Sequence, residues 1–472
     1  MRILLAASEA LPFMASGGLA DVAGSLSKAL VEKGEDCRVV MPLYSTIAQK
    51  YRDEMQYITS FSVPLGWRRQ YCGVFKAVAN GVTYYFIDNE YYFKRDTIYG
   101  HYDDVERFAF FSRAILEMIY HIDWGPEVLH LNDWQTALAS VYLNLYYRQD
   151  WRFSNIKAIF TIHNIQYQGK LGLEVCEDLL GISGKDKEIL EYDGCVNLMK
   201  AAIVSTAKVT TVSESYAEEI TDPYYSYGLD AVVLQEKQKV MGILNGIDTN
   251  LYNCKTDPNI AKNFSSQALA GKRENKKALC EEMGIQYNES KPLVAMVTRL
   301  VENKGIDLVE YVFDDIIASG MQFVMLGSGD GKYENFFNEM KQRYPNDVGV
   351  YIGFNQALSK RVYAGADVFL MPSQNEPCGL SQMIATRYAT IPVVRETGGL
   401  KDSIIDFGVE SDLSCGYTFK TYNAHDMFGA LLRAKGAYES KTLWNKQMRM
   451  ALKRDFSWAV SADKYIEMYK NA

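Results

Sequence analysis

Short apolar runs of strand length recur along the chain, and most of them are continuous instead of alternating with polar residues. Continuous runs are typical of strands that are buried on both faces of a parallel sheet. Amphipathic stretches with helical spacing lie between them, as at residues 21–32, 137–148 and 358–364. This alternation predicts an α/β fold of doubly wound parallel sheets. The predicted strands are residues 3–7, 37–41, 128–131, 158–162, 209–212, 293–297, 323–326, 368–371 and 392–394.

The 472 residues exceed what one hydrophobic core usually holds, so we expect two domains. A turn-like tetrad begins at Asn245, and we place the first domain at 1–245 and the second at 246–456. Residues 252–275 are polar and lack periodicity, which predicts a connecting stretch. Residues 457–472 predict a helix with enough apolar surface to require docking, and we expect it to dock on the first domain.

Composition removes several classes of function. A net charge of −8 argues against nucleic-acid binding, and no apolar run has the length of a membrane span. The eight cysteines are scattered singly, with no pattern of a zinc site. We therefore expect a cytoplasmic protein without metal or cofactor. The 33 tyrosines permit a carbohydrate-binding surface but also fit ordinary packing.

One short phrase occurs twice: a hydroxyl residue, two glycines, a leucine and, two positions on, an acid. We name residues 16–21 the first Gly-Gly loop and residues 397–402 the second Gly-Gly loop. Two glycines followed by a helix let backbone amides approach an anionic ligand. The alternative is a helix-capping turn that happens to recur. The pairing favours two similar halves that serve one ligand.

Chemistry-bearing residues directly follow several predicted strands, where open α/β sheets bind their ligands. Arg299 and Lys304 would supply two cations for phosphate oxygens. An isolated pair of this kind is usually a solvated face, but a position in a loop at the carboxyl edge of the sheet favours phosphate binding. The others are Glu9, Asp133, Trp134, His163, Asn164, the glycines at 327 and 329, and Glu376, which begins Glu376-Pro377-Cys378-Gly379-Leu380.

Taken together and in order, these segments resemble the bacterial glycogen synthase and plant starch synthase family over nearly the whole chain. The supporting stretches are Glu9–Pro12, the first Gly-Gly loop, His130–Gln135, Thr161–Ile165, Tyr167–Gly169, Thr211–Ser213, Gly242–Asp248, Thr298–Leu300, Lys304–Gly305, Glu376–Leu380, Arg395–Leu400, Ser457–Trp458 and Ser461–Ala462.

The resemblance implies a GT-B glycosyltransferase, with two Rossmann-like domains and an interdomain cleft. It implies transfer of glucose from ADP-glucose to the non-reducing end of an α-1,4-glucan, with retention of configuration. The catalytic residues it implies are Glu376, His163, Arg299 and Lys304. The donor-binding residues would be Ala15, Gly17, Gly18, Asn245, Cys378, Gly379, Leu380, Thr397, Gly398, Gly399 and Leu400. Glu9, Asp21, Asp133, Trp134 and Asn164 would line the cleft on the acceptor side.

Simpler interpretations stand beside some of these roles. Trp134 is more consistent with packing than with substrate stacking, and Asp133 could cap the next helix. Cys378 is expected to be a small buried residue, since no base accompanies it. Asp21 could act chiefly as a first-turn acid of its helix.

Two departures from the family pattern concern the donor. Ala15-Ser16 replaces the usual Lys-Thr, and Gln374-Asn375 replaces Arg-Phe. Loss of that lysine should weaken donor binding or change donor preference. The alternatives are therefore the same fold with UDP-glucose or another acceptor, or a catalytically idle glucan-binding protein.

Overall fold

The computed structural model describes residues 1–472, which divide into two compact units. Unit 1 comprises Met1–Ile243 with Trp458–Ala472, and unit 2 comprises Leu244–Ser457. The domain boundaries predicted from the sequence lie after residues 245 and 456.

The strands, in chain order, are β1 (Arg2–Ala6), β2 (Asp36–Pro42), β3 (Gln56–Leu65), β4 (Arg68–Ala79), β5 (Val82–Asp88), β6 (Val128–Asn132), β7 (Lys157–Ile162), β8 (Lys170–Leu171), β9 (Glu191–Tyr192), β10 (Cys195–Asn197), β11 (Lys208–Thr211), β12 (Val240–Gly242), β13 (Leu293–Val297), β14 (Gln322–Gly327), β15 (Val348–Ile352), β16 (Val368–Met371), β17 (Ile391–Arg395), β18 (Ile405–Asp406) and β19 (Ser414–Phe419).

The α-helices are α1 (Gly18–Glu32), α2 (Gln49–Arg52), α3 (Glu90–Phe93), α4 (Asp104–Ile119), α5 (Trp134–Tyr142), α6 (Val175–Asp178), α7 (Leu198–Ser205), α8 (Glu214–Glu219), α9 (Pro223–Ser226), α10 (Asp230–Gln235), α11 (Ala270–Met283), α12 (Ile306–Ala318), α13 (Gly331–Arg343), α14 (Gln356–Gly365), α15 (Ser381–Arg387), α16 (Gly398–Ser403), α17 (Ala424–Glu439), α18 (Lys441–Lys453) and α19 (Trp458–Lys470). A π-helix spans Leu143–Tyr147, and 3-10 helices span Gly184–Ile189, Lys237–Lys239 and Glu302–Lys304.

Unit 1 contains a nine-stranded sheet in the order β12-β11-β7-β6-β1-β2-β5-β4-β3 and a small sheet β8-β10-β9. All predicted strands of this half are present, and the seven from β12 to β5 run parallel. Their side chains are mostly buried, as continuous apolar runs predict.

The edge of this sheet differs from the prediction, because β3, β4 and β5 pair antiparallel. Residues 56–79 mix buried and exposed positions, so they lack the continuous apolar runs by which the other strands were recognised. An antiparallel edge can keep one face in water, and its signal is correspondingly weaker.

Unit 2 contains a seven-stranded sheet in the order β15-β14-β13-β16-β17-β19-β18, with all pairs parallel. Two sequence predictions need correction. Helix α11 begins at Ala270, inside the stretch 252–275 that was assigned to a connection. The helix predicted at 137–148 begins earlier, at Trp134, and its last turns are a π-helix.

Helix α19 packs within unit 1. Its Tyr469 hydroxyl lies 2.8 Å from Nδ1 of the buried His130, on β6. At the surface, ion pairs join Lys33 to Asp463 and Glu214 to Lys464. The final helix is thus tied to the first Rossmann-like unit through both a buried polar contact and charged contacts.

Candidate active site

The succession of strands reverses once in each parallel sheet. In unit 1, β2 and β5 lie on one side of β1, whereas β6, β7 and β11 lie on the other. In unit 2 the same change falls between β13 and β16. Open α/β sheets bind ligands outside the carboxyl ends of strands at such points. The strands that flank the reversal points are followed by loops with polar residues. These residues are Glu9 after β1, Asp133 after β6, Arg299 after β13 and Glu376 after β16.

The first Gly-Gly loop is held by Glu9. The Glu9 carboxylate accepts the amide of Ser16, and the Tyr99 hydroxyl donates to its Oε1 over 3.3 Å. Burial raises the pKa of Glu9, while these hydrogen bonds act in the opposite direction. Gly17 has an extended φ of −161°, and a Cβ added at Gly18 would meet nothing within 4 Å. Both glycines are exposed, so the fold itself does not require them, and their bare backbone is open to a ligand.

Asp133 adopts φ 57° and ψ 176°, a region that residues with a side chain rarely occupy. Its Oδ1 accepts the amide of His163 over 2.8 Å instead of capping α5. Burial raises the pKa of Asp133 to about 7, and the charge of Glu9 adds to this effect. Backbone strain combined with a perturbed carboxyl is characteristic of functional sites.

His163 is held as a neutral imidazole. Its Nε2 lies 2.9 Å from Oδ1 of Asn132, whose Nδ2 donates to the carbonyl of Ala6 over 3.0 Å. Because that network makes Oδ1 the acceptor, we assign the ring proton to Nε2. Burial lowers the pKa of His163 to about 3. Nδ1 therefore carries a lone pair that can accept a hydrogen bond from a hydroxyl group.

The remaining selected residues of unit 1 have local roles. Trp134 packs edge to face against Phe108 with ring centroids 5.4 Å apart, which is the packing interpretation. Asn164 accepts the amide of Gln166 over 3.0 Å. Asp21 lies in the first turn of α1, where a negative charge is favourable.

In unit 2, Lys304 and Glu376 form an ion pair that the sequence did not predict. Nζ of Lys304 donates to Oε2 of Glu376 over 2.6 Å, and the Ser373 hydroxyl donates to the same oxygen over 3.1 Å. Both side chains are mostly buried. Arg299 is exposed and forms no ion pair, so its positive charge is uncompensated at this edge of the sheet.

The second Gly-Gly loop needs its glycines for packing. Gly398 has φ 43°, and a Cβ there would lie 2.2 Å from the carbonyl oxygen of Glu376. A Cβ at Gly399 would lie 2.1 Å from the carbonyl oxygen of Cys378. The amide of Gly399 donates to the carbonyls of Glu376 and Pro377, both over 3.2 Å. The amide of Gly399 is thus shared between two carbonyls of the chain, and its assignment to the donor stays a prediction.

The other residues assigned to the donor lie around this contact. Thr397, Leu400 and Cys378 are buried, and Cys378 has the environment of a small packing residue. Gly379 lies in the left-handed region with φ 68°, and Leu380 precedes α15. Asn245, the first predicted boundary residue, is buried, and its Oδ1 has no hydrogen-bond partner.

Three residues at this edge escaped the sequence analysis. Gln382 donates to the carbonyls of Cys378 and Gly379 and to Oγ of Ser403, which links the two loops. A glutamine inside a helix gives no signal of this role. Arg395 donates to the carbonyl of Gln374 over 2.7 Å.

Phe354 is the third, and it did leave a signal. It follows β15 and is 89% exposed, and the preceding Gly353 donates its amide to Gly327. The signal is its position directly after a parallel strand, which is the criterion by which the other site candidates were selected.

No group of three or more His, Cys, Asp or Glu residues has an arrangement that could hold a metal ion. None of the helices combines the length and apolar character needed to cross a bilayer.

Two Rossmann-like units, each with polar residues at the reversal point of its sheet, define a GT-B glycosyltransferase. Residues 2–235 match the family described as "Starch synthase catalytic domain", and residues 282–449 match "Glycosyl transferases group 1". The chain is 47% identical to the glycogen synthase of Anoxybacillus flavithermus, covering 99% of this chain and 97% of that one. It is also 47% identical to the glycogen synthase of Bacillus anthracis, covering 100% and 99%. The chain belongs to the glycogen synthase and starch synthase family of glycosyltransferases.

Solved structures agree with this assignment. The catalytic domain of starch synthase IV from Arabidopsis thaliana, bound to ADP and acarbose, superimposes with a TM-score of 0.90 at 33% identity, covering 100% of this chain and 99% of that one. Sucrose-phosphate synthase from Thermosynechococcus elongatus shares the fold, with a TM-score of 0.62 at 15% identity, covering 100% and 98%.

Proposed function

We propose that this enzyme transfers glucose from ADP-glucose to the non-reducing end of an α-1,4-glucan, with retention of configuration. The observation that carries the proposal is the Lys304–Glu376 ion pair at the reversal point of the unit 2 sheet, with the exposed Arg299 on the same loop as Lys304. The similarity to a starch synthase that binds ADP supports a nucleoside diphosphate as the group held there.

In unit 2, the cations would act on the leaving group. Departure of a nucleoside diphosphate builds negative charge on its oxygens, and fixed cations stabilise that charge most in the transition state. The positive charge of Arg299 has no ion-pair partner and could bind phosphate oxygens directly, whereas Lys304 would interact with both Glu376 and the phosphate. Two side-chain cations can supply the charge stabilisation that a metal ion would otherwise give. Phe354 would stack on the base.

In unit 1, the exposed backbone of Gly17 and Gly18 would face the donor, chiefly through the amide of Gly18, because the amide of Gly17 interacts with the Glu9 carboxylate. Neutral His163 would accept a hydrogen bond at Nδ1 from a hydroxyl of the transferred glucose. Glu9 and Asp133 would position the sugars on the acceptor side together with Asn164. A carboxyl with a pKa of about 7 can donate or accept a hydrogen bond near neutral pH.

UDP-glucose is the second candidate donor. The departures at Ala15 and Gln374 are the reason to test it, since both lie in segments assigned to the donor. A catalytically idle glucan-binding protein is the candidate from another class. The presence of Arg299, Lys304 and Glu376 in unit 2 and of His163 in unit 1 argues against it, because an idle protein has no need of all four.

The test follows radiolabelled glucose from ADP-glucose and, in parallel, from UDP-glucose into glycogen. We expect incorporation with ADP-glucose at the higher kcat/KM, and no incorporation at high donor concentration would refute the proposal. Glycogen binding without ADP release would instead favour the idle protein.

Two substitutions test the assigned roles. Lys304→Ala and Glu376→Ala should each lower kcat by about 100-fold to 1,000-fold, the usual cost of removing one group that stabilises transition-state charge. Thermal unfolding should confirm that both variants fold. Near-normal turnover in either would contradict its role.

The reducing cytoplasm is the proposed compartment, supported by eight free thiols.

A further inference from the structure

A cleft of about 530 Å³ lies at the amino ends of strands β1, β6 and β7 in unit 1. Its lining includes Arg2, which begins β1, Glu127, which precedes β6, and Ile156, which precedes β7. Glu9 and Asp133 follow the opposite ends of these strands. A five-residue strand spans about 16 Å, so the cleft is separate from the candidate active site.

The most unusual member of this cleft is Trp151. Its side chain is 78% exposed, and its indole N–H donates to no group of the chain. The loop that carries it is nevertheless well ordered by hydrogen bonds. Asp150 accepts the amide of Arg152 over 2.9 Å, and Ser154 donates to the carbonyl of Trp151 over 3.2 Å. The backbone that carries the ring is therefore fixed, and binding would have to order only the side chain.

Polar groups suited to hydroxyl groups surround the ring. The Arg152 guanidinium lies 5.3 Å from the Trp151 ring and 5.0 Å from the Tyr120 ring. Asp123 and Asn155 line the cleft, and both are exposed with no side-chain hydrogen bond in the structure. Carboxylate, carboxamide and guanidinium groups offer both acceptors and donors. The lining thus combines a polar rim with apolar and aromatic surface, which suits a ligand that has both hydroxyl groups and C–H faces.

The combination of an exposed indole ring with carboxylate, carboxamide and guanidinium groups fits a sugar better than an anion. A glucose ring has apolar C–H faces that suit an indole, and hydroxyls that suit the polar rim. An anion would meet the carboxylates of Asp123 and Glu127, and Arg152 already faces Asp150 over 3.6 Å. We propose that this cleft is a second binding site for an α-1,4-glucan, separate from the active site. The identity of the glucan rests on the proposed function.

The test uses the full-length enzyme with Trp151→Ala and, as a matched control, Trp67→Ala. Trp67 is 75% exposed on the same unit but donates its indole N–H to Asp178 over 2.7 Å. Affinity electrophoresis in glycogen-containing gels measures binding without turnover. We expect Trp151→Ala to weaken glycogen binding about fivefold to tenfold, the effect of losing one aromatic stacking contact. Trp67→Ala should bind as the parent does, and Trp151→Phe should retain part of the affinity.

Kinetics separate this site from the active site. Trp151→Ala should raise KM for glycogen while leaving KM for ADP-glucose and turnover on maltotriose unchanged. Unchanged glycogen binding in Trp151→Ala, or an equal loss in Trp67→Ala, would overturn the inference. In NMR spectra, a shift of the Trp151 indole N–H signal with inorganic phosphate but not with maltoheptaose would indicate an anion site. That result would also overturn the inference of a glucan site. Absence of glucosyl transfer in the parent enzyme would refute the proposed function and leave the binding result standing.

Discussion

The first and second Gly-Gly loops carry the same phrase, but their glycines meet opposite surroundings. In the first loop, Gly17 and Gly18 are exposed, and no neighbouring atom would obstruct a Cβ at Gly18. In the second loop, Gly398 and Gly399 are buried, and a Cβ at either would lie about 2 Å from a carbonyl oxygen of the Glu376 loop. A repeated motif therefore does not imply a repeated contact. The first loop leaves backbone open, whereas the second allows two segments of unit 2 to approach each other.

That difference has a functional consequence within unit 2. The segment that approaches Gly398 and Gly399 begins with Glu376, whose side chain pairs with Lys304. The second Gly-Gly loop can thus position the Lys304–Glu376 pair through its packing against the Glu376 segment.

The largest expected effect is that of Gly399→Ala. The new Cβ would lie 2.1 Å from a backbone carbonyl, which cannot rotate away as a side chain could. We expect a loss of about 3 kcal/mol in the free energy of unfolding, as for a severe overpacking substitution. Urea unfolding measures it. A stability equal to that of the parent would show that the second loop is not a packing contact.

The next effect concerns the edge that carries the first loop. The pKa of Asp133 is about 7 in the folded state and about 3.8 when unfolded, so the native state binds more protons between these values. The contribution of Asp133 to the free energy of unfolding should accordingly decrease as pH rises from about 4 to 7. Asp133→Asn keeps an acceptor for the His163 amide and tolerates the strained φ.

We expect Asp133→Asn to raise stability by about 2 kcal/mol at pH 8, after discounting the roughly 1.4 kcal/mol per pKa unit for partial exposure. The gain should disappear near pH 4, and turnover should fall. The midpoint of urea unfolding, measured at both pH values, checks the first expectation. A gain of equal size at both pH values would contradict the assigned titration.

Ala15→Lys tests whether the first loop faces the donor. If that loop contacts the diphosphate, a new cation beside Gly17 should lower KM for ADP-glucose up to about tenfold, or 1.4 kcal/mol. Ala15→Gln supplies similar length without charge and should have little effect. A Michaelis constant that does not move with Lys would count against donor contact at residue 15.

The smallest effect is expected for Gly18→Ala. Stability should be unchanged or up to about 1 kcal/mol higher, because alanine restricts the unfolded chain and fits the first turn of α1. Turnover should nevertheless decline severalfold, since the methyl group would keep a ligand from the amide. Parallel urea unfolding and transfer assays separate the two results. Full activity of Gly18→Ala would show that the amide of Gly18 does not contact a ligand.

Much of the architecture could be read from the order of apolar runs. All nine predicted strands occur in the structure, because strands buried on both faces need continuous apolar residues. The antiparallel β3–β4 edge was missed because buried, half-buried and exposed side chains mix along it without a continuous apolar run. Among the site residues, those directly after strands were recoverable, since parallel strands bring their carboxyl ends to one edge. Gln382 and Arg395 were not, because their partners are backbone carbonyls of distant loops.

The amino-acid order alone determined the α/β class, the family resemblance and the positions at strand ends, since these depend on local periodicity and short motifs. Tertiary structure alone decided the charge and contact of those residues. Burial holds His163 neutral and raises the pKa of Asp133, and the fold pairs Lys304 with Glu376. The fold also leaves space beside Gly17 and Gly18, whereas Gly398 and Gly399 have no room for a side chain. Free space around a backbone depends on segments that are far apart along the chain.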